Sequence, residues 1–146
     1  MIEFEVPGPA VAKARARVFT VKSKSGKVFH RGVTPPKTVN YENYIKLCFL
    51  SAKPDGFEPY AGPVEFHARI YETVPASFSK KRRQLALDGF ISPMGRNNVD
   101  NFLKSYMDSM NGLAYLDDRQ VVYASVSKKY AASPTAFVRI EELRHP

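Results

Sequence analysis

The chain has 146 residues, a formal net charge of +8 at pH 7 and a single cysteine, Cys48, so it cannot form an internal disulfide. Its content of 44% hydrophobic and 25% charged residues is ordinary for a soluble globular protein. No apolar run approaches the roughly 20 residues of a membrane span, and Met1–Pro7 lacks the basic leader and apolar core of a signal peptide. We therefore expect one domain, residues 1–146, in the cytoplasm and with no membrane partner.

The first part of the chain predicts a strand, a hairpin and a helix. Residues Ile2–Val6 alternate apolar and acidic side chains, which is typical of a half-buried strand. Residues Arg17–Val21 and Lys27–Arg31 can pair across a turn at Ser23–Gly26. Apolar residues then recur at helical spacing from Thr38 to about Lys53, between prolines on both sides.

The rest of the chain predicts three strands and a long helix. Alternation predicts a strand at Val64–Tyr71, and an apolar stripe at helical spacing predicts a helix at Val99–Asn111. Two closing strands, Gln120–Tyr130 and Thr135–Leu143, flank Ser133–Pro134 and are predicted to form an antiparallel pair.

A short helix is also predicted within Pro75–Asp88, beginning near Ser77. It carries the run of four cations Lys80–Arg83. Such a run is more often a solvated helix face than a phosphate clamp.

The positive charge is concentrated near the start of the chain. Between Val6 and Tyr41 there is no Asp or Glu, and the basic residues equal the whole net excess of +8. Two interpretations are open: a solubilising loop region, or a stripe that binds nucleic-acid phosphates with Phe19, Phe29 and His30 interleaved for base stacking. The basic residues are Lys13, Arg15, Arg17, Lys22, Lys24, Lys27, Arg31 and Lys37.

Acidic residues in the second half of the chain indicate a metal site. Asp100, Lys104 and Asp108 are spaced four residues apart, so they share one face of the predicted helix. The pair Asp117-Asp118 follows, and the turn at Asn111-Gly112 can fold this pair back toward the N-terminal end of the helix. Converging carboxylates in a basic protein need a counter-charge, which Mg²⁺ can supply through oxygen ligands.

Structural roles explain the same residues equally well when each is taken alone. Asp100 near a helix start is favoured by the helix dipole, and it can form an ordinary surface ion pair with Lys104. Asp117-Asp118 can simply occupy a turn.

Two runs of this region form a more specific pattern: Arg96–Lys104 (RNNVDNFLK) and Leu116–Val122 (LDDRQVV). They resemble the core of the RusA family of Holliday junction resolvases. In that family Asp, an apolar residue and Asp-Asn are followed after two residues by Lys, and later by Asp-Asp-x-Gln-Val. The similarity is strong from Arg96 to about Tyr123 and looser in the basic start and the Tyr41-Glu42 region, which are similar to phage-type members.

The resemblance implies a fold, an activity and a set of site residues. It implies a single-domain α+β fold, with a mainly antiparallel sheet and two main helices packed on it, in a homodimer. It also implies a structure-selective endodeoxyribonuclease that resolves four-way DNA junctions with Mg²⁺, or Mn²⁺ in its place, and without an organic cofactor. By position, Asp100, Lys104 and Asp118 are catalytic, Asp100 and Asp118 bind the metal, and the basic segment holds the junction arms through phosphates.

One position departs from the family pattern. Asn98 stands where the family usually has its first Asp, so the resemblance implies that it is among the catalytic and metal-binding residues. An amide oxygen, however, ligates a metal weakly and adds no negative charge. Three explanations are open: the chemistry is weakened, another carboxylate such as Asp117 takes over, or the Asn is a deliberate replacement of Asp. Two alternatives to an active nuclease are open. Asn98 suggests a junction-binding protein of reduced or no activity, and the basic segment suggests a basic RNA-binding protein.

Overall fold

Four strands form one mixed sheet in the computed structural model, which describes residues 1–14, 17–95 and 97–144, without the side chains at 17–19, 29, 31 and 33. The strands are β1 (Ile2–Pro7), β4 (Val64–Thr73), β5 (Val121–Ala131) and β6 (Thr135–Glu142), in the spatial order β1-β6-β4-β5. Strand β6 pairs antiparallel with both β1 and β4, whereas β5 pairs parallel with β4. The chain is thus a single α+β domain.

One prediction about the sheet is wrong. Two of its three strand pairings are antiparallel, as expected for a mainly antiparallel sheet, and the third makes the sheet mixed. However, β5 and β6 do not pair with each other, because β4 lies between them. Residues 132–134 join the two strands across the end of β4. Three linking residues span up to about 13 Å, which exceeds the roughly 10 Å between strands that flank a third one.

The long segment between β4 and β5 explains why these two strands are parallel. Parallel neighbours need a crossover connection of about a dozen residues or more, and this one contains α2 (Lys80–Leu87), α3 (Val99–Met110) and a short 3₁₀ turn (Asp118–Gln120). The predicted short helix is therefore present, although it begins at Lys80, where the Ser79 side chain accepts a hydrogen bond from the Arg82 N–H.

The two longer helices cover one face of the sheet. The helix α1 (Pro36–Ala52) packs against β1 and α3. Between the two helices the hydroxyl groups of Tyr41 and Tyr106 are 2.6 Å apart, so both buried polar atoms are satisfied. The core consists of alternate strand residues, such as Ile2, Phe4 and Val6 of β1, together with the apolar stripes of both helices. No described helix is long and apolar enough to cross a membrane.

The predicted hairpin is confirmed as a separate two-stranded sheet. Strand β2 (Arg17–Lys22) pairs antiparallel with β3 (Val28–Val33), with Arg17 opposite Val33 and Lys22 opposite Val28. The turn between them needs the glycine at position 26, whose φ of 82° lies in the left-handed region that side chains disfavour. The hairpin therefore carries much of the basic segment on a sheet of its own, which pairs with no strand of the main sheet among the described residues.

Candidate active site along helix α3

Helix α3 places its apolar stripe in the core and its charged side chains outside. Phe102, Tyr106 and Met110 are buried, whereas Asp100 and Lys104 are exposed and Asp108 is half-buried. The three charged residues share one face, as the spacing predicts. Asp100 and Lys104 form no ion pair with each other, so the ordinary surface pair considered above does not form.

The N-cap of α3 leaves its own side chain unused by the helix. Asn98 has extended backbone geometry at this position, but its side chain makes no capping hydrogen bond, although Asn is among the best N-cap residues. The amide oxygen of Asn98 therefore remains available to a ligand. Asp100 lies two residues later, in the first turn of the same helix.

Residues 11–14 run along α3 and fasten the basic segment to it. The backbone N–H of Lys13 donates to the carbonyl of Asn101 (2.9 Å), and the Ser105 hydroxyl donates to the carbonyl of Val11 (2.9 Å). The N–H of Ala14 donates to the Thr38 hydroxyl in α1 (3.2 Å). The start of the basic segment is thus part of the packed domain rather than a free arm.

Lys13 lies at the centre of an ion cluster, a role that the sequence analysis missed. Its Nζ is 2.5 Å from Oε1 of Glu42 and 3.1 Å from Oδ2 of Asp108. Partial burial alone would lower the pKa of the Lys13 ammonium, but hydrogen bonds and attraction from the two carboxylates outweigh it and raise that pKa. Lys13 therefore bridges the N-terminal segment, α1 and α3, although it was predicted as a DNA contact.

The two acidic residues after α3 have different environments. The Asp117 carboxylate accepts hydrogen bonds from the N–H of Arg119 (2.9 Å) and from its side-chain Nε (3.2 Å). The backbone hydrogen bond from Arg119 is the main reason why the pKa of Asp117 is lowered. Asp117 caps the 3₁₀ turn, whereas Asp118 is exposed and is the first residue of that turn, which directly precedes β5. The structure thus assigns a capping role to Asp117 and leaves Asp118 open to solvent.

Gln120 holds this turn in place, and the sequence analysis did not single it out. Its Oε1 accepts from the N–H groups of Leu116 (2.8 Å) and Asp117 (2.9 Å), and its Nε2 donates to the carbonyls of Tyr60 (2.7 Å) and Gly62 (2.8 Å). The spacing Asp117-x-x-Gln120 is a capping-box pattern, which is the signal that could have identified it.

Tyr115 connects the Asp118 turn to the C-terminal half of α3. Its buried hydroxyl donates to the carbonyl of Met107 (2.6 Å). Burial first, and then the negative charges of Asp118 and Asp108, raise the pKa of Tyr115. Both carboxylates therefore lie near this hydroxyl, whereas Asp100 lies eight residues before Asp108, about 12 Å along the helix axis.

Strand β5 then returns toward the start of α3. The Nζ of Lys128, near the end of β5, donates to the carbonyl of Asn97 (3.2 Å). Since β5 begins beside the Asp118 turn, it runs past α3 in the opposite direction to the helix. Asn98 and Asp100 thus lie at the end of α3 that Lys128 reaches, and Asp118 lies toward the other end. The prediction that the turn at Asn111-Gly112 folds Asp117-Asp118 back toward the start of the helix is therefore wrong, because the chain enters β5 beside the C-terminal half of α3.

The donor set is compatible with Mg²⁺ but does not form a protein cage. In the described part of the chain no three His, Cys, Asp or Glu side chains cluster so that they could hold a metal. Mg²⁺ is usually bound through only one or two carboxylates, with water and substrate phosphate completing its shell. Asp100 and the amide oxygen of Asn98, close together at the start of α3, match that kind of site in chemistry, whereas the exposed carboxylate of Asp118 lies toward the other end of the helix.

The other predicted DNA-binding residues belong to the hairpin region. Lys22, Lys24 and Lys27 are exposed at its turn. Arg15 lies outside the described residues, as do the side chains of Arg17 and Arg31, which belong to β2 and β3.

Comparison with known proteins identifies the family of this chain. The family model described as endodeoxyribonuclease RusA matches residues 7–141. The chain belongs to the RusA family. It is also 35% identical over 144 residues to the uncharacterized protein YqaN of Bacillus subtilis (strain 168), covering 97% of this chain and 96% of that protein. RusA-family proteins are metal-dependent endodeoxyribonucleases that act on branched DNA, so membership places this protein among the nucleases of recombination and repair.

Proposed function

We propose that this RusA-family protein resolves four-way DNA junctions by hydrolysing one phosphodiester in each of two opposed strands. The observation that carries the proposal is the outer face of α3, where Asp100 and Lys104 are exposed and form no ion pair with each other. In a member of a nuclease family, Asp100 on this face can bind a metal ion, and Lys104 can contact the same DNA phosphate as that ion.

Asn98 and Asp100, which lie together at the start of α3, would hold the divalent cation, Mg²⁺ with Mn²⁺ as a substitute. Asp118 lies toward the other end of α3, so it would join them as a ligand only after the turn that carries it moves toward the start of the helix on binding. When bound, the metal supplies an activated water and neutralises charge on the scissile phosphate. Asp100 and Asp118 contribute negative charge that retains a cation in a protein of net charge +8. Asn98 contributes only its neutral oxygen, which weakens the site relative to a third carboxylate.

Lys104 acts on the phosphate rather than on the metal. It lies one helical turn after Asp100, on the same face of α3, and its ammonium is exposed. A cation at this position stabilises the charge that develops on the phosphate oxygens in the transition state. The exposed hairpin lysines, Lys22, Lys24 and Lys27, hold the junction arms through phosphates without reading their sequence.

A homodimer matches the symmetry of the substrate. A four-way junction has approximate two-fold symmetry, and resolution requires two cuts on opposed strands. Two identical subunits related by a two-fold axis present two sites in that relation.

A second candidate function follows from Asn98: a protein that binds junctions but cuts them slowly, because one carboxylate of the family pattern is absent.

Cleavage of a synthetic four-way junction beside a linear duplex of the same sequence, with and without Mg²⁺, tests the proposal. We expect metal-dependent cleavage of the junction alone, and loss of cleavage in Asp100→Asn with junction binding retained. Asp55→Asn, in the exposed turn after α1, removes the same charge away from α3 and should cut like the parent. Junction binding without cleavage would select the second candidate, and preference for structured RNA would overturn both.

A further inference from the structure

We infer that helix α2 is a second DNA-contacting element of this nuclease and binds the phosphates of a junction arm beside the active site. The inference rests on the proposed junction-resolving function and extends its substrate surface. The residues concerned are the four consecutive cations Lys80, Lys81, Arg82 and Arg83, which are called the α2 basic surface below.

Helix α2 contributes little to the core of the domain. Of its eight residues only Ala86 is buried, and all four cations are exposed. None of the four forms an ion pair with a carboxylate in the described part of the chain. A helix that buries one side chain and leaves four adjacent positive charges without counter-charges presents a surface complementary to a polyanion.

The start of α2 lies on the same side of β5 as the start of α3, which carries Asn98 and Asp100. Phe78, which precedes the cap of α2, packs edge-on against Tyr130 of β5, with ring centroids 5.8 Å apart. Lys128 precedes Tyr130 by two residues, so the two lie on the same side of β5, about 7 Å apart along the strand. The Lys128 side chain donates to the carbonyl of Asn97. The start of α2 and the start of α3 are therefore held beside the same stretch of β5.

Positive side chains consequently border the start of α3 from more than one element. Asn97 also lines a cleft of about 390 Å³ together with Lys37 and Thr38 of α1 and residues of the 10–14 segment. Lys128 reaches Asn97 from β5. An arm whose scissile phosphate lies at the metal site near Asp100 can therefore continue over α2, where further phosphates meet cations.

The connection between α2 and α3 supports the same interpretation. Two large apolar side chains on it, Phe90 and Met94, are 79% and 95% exposed. Exposed aromatic and apolar side chains beside a basic helix suit bases that lose their stacking partners at a branch point. Arg82 stacks over the Phe78 ring at 4.3 Å, so Lys80 and Lys81 are the cations to substitute without disturbing the contact that holds α2.

The test compares the salt dependence of junction binding in matched variants. Lys80→Ala/Lys81→Ala should lower the slope of log affinity against log salt by about 0.9 for each lost phosphate contact. Between about 50 and 200 mM salt, the parent should then lose roughly tenfold more affinity than the variant. Lys80→Arg/Lys81→Arg, which keeps both charges, should keep the parent slope.

The control removes two cations at the opposite end of the domain. Lys53→Ala/Arg144→Ala has the same charge change, but Lys53 ends α1, and Arg144 follows Leu143, whose N–H donates to the carbonyl of Pro63 at the start of β4. The control should keep the parent slope. Single-turnover cleavage at saturating protein should also be unchanged in this control, because Lys53 and Arg144 lie away from the start of α3.

Three results would overturn the inference. If the parent binds and cuts junctions but Lys80→Ala/Lys81→Ala retains its salt slope, α2 is a solvated face and the proposed function stands. If the α2 variant and the control lose the same slope, net charge rather than this surface is responsible. If the parent neither binds nor cuts junctions, the proposed function fails, and the α2 inference fails with it.

Discussion

Replacement of Lys13 by Met should destabilise the protein, because Lys13 joins three segments through two carboxylates. Its Nζ contacts Glu42 of α1 and Asp108 of α3, while its backbone N–H bonds to Asn101. The variant leaves two carboxylates facing each other without their cation. The side chains of Lys13, Glu42 and Asp108 are 22%, 17% and 28% exposed, so the cluster is neither a surface pair nor fully buried.

The intermediate burial of these side chains determines how much stability the Lys13→Met variant should lose. Exposed ion pairs contribute roughly 0–1 kcal/mol, and removal of one partner from a buried pair costs about 3–5 kcal/mol. We therefore expect the free energy of unfolding to fall by about 2–3 kcal/mol. For a domain of this size the melting temperature should drop by about 5–10 °C. Lys46→Met, a half-buried lysine of α1 with no ion pair among the described residues, should change stability by less than about 0.5 kcal/mol.

The pH dependence gives an independent check. The pKa of Lys13 is raised in the folded protein, so its contribution is fully present below the pKa of an unfolded lysine, about 10.4, and is lost as the pH rises through the folded pKa. Urea denaturation should show a constant difference between parent and Lys13→Met from neutral pH to about pH 10, and a smaller one above it. Equal stability of the two proteins at pH 7 would refute the stabilising role of this cluster.

Three further predictions concern the site and the hairpin. Asp118→Asn should abolish junction cleavage in a gel assay without lowering the melting temperature, whereas Asp117→Asn should lower the melting temperature and keep cleavage, because Asp117 caps the 3₁₀ turn. Asn98→Asp should lower the Mg²⁺ concentration needed for cleavage by on the order of tenfold or more, because a carboxylate replaces a neutral oxygen; an unchanged Mg²⁺ titration would exclude position 98 as a ligand. Lys24→Ala/Lys27→Ala should weaken binding to junction and duplex alike, and should reduce the slope of log affinity against log salt measured by fluorescence anisotropy. An unaltered slope would show that the hairpin lysines do not contact phosphates and would favour a solubilising role for them.

The pattern of apolar and polar residues predicted most helices and strands correctly, because it indicates which side of a segment is buried. The alternation in Ile2–Val6 and the stripe of Val99–Asn111 both indicated the faces that pack in the core. Alternation does not report which strand lies alongside. The closing strands, β5 and β6, looked like a hairpin around Ser133-Pro134, but β4, which ends 48 residues before β5 begins (121 − 73 = 48), lies between them.

In the candidate site, too, features within one segment could be predicted from the sequence, whereas contacts between distant segments could not. The spacing of Asp100, Lys104 and Asp108 placed them on one helix face, as α3 has them. The partners of Asp108 could not be predicted, because Lys13 is 95 residues away in the chain (108 − 13 = 95) and meets it only through the packing of the N-terminal segment on α3. The separation of Asp117 from Asp118 was accessible in principle through the capping box with Gln120.

The pairing of β1 with β6 has a consequence for the order in which the protein is made and folded. Ile2 lies opposite Ile140, and β1 has no other strand neighbour in the described part of the chain. During translation β1 leaves the ribosome first and must wait for the last strand before its backbone groups can pair. Contacts between such distant parts of a chain slow folding, so the sheet that supports α3 closes only after synthesis reaches β6, and an interrupted translation product lacks the platform on which the nuclease site is built.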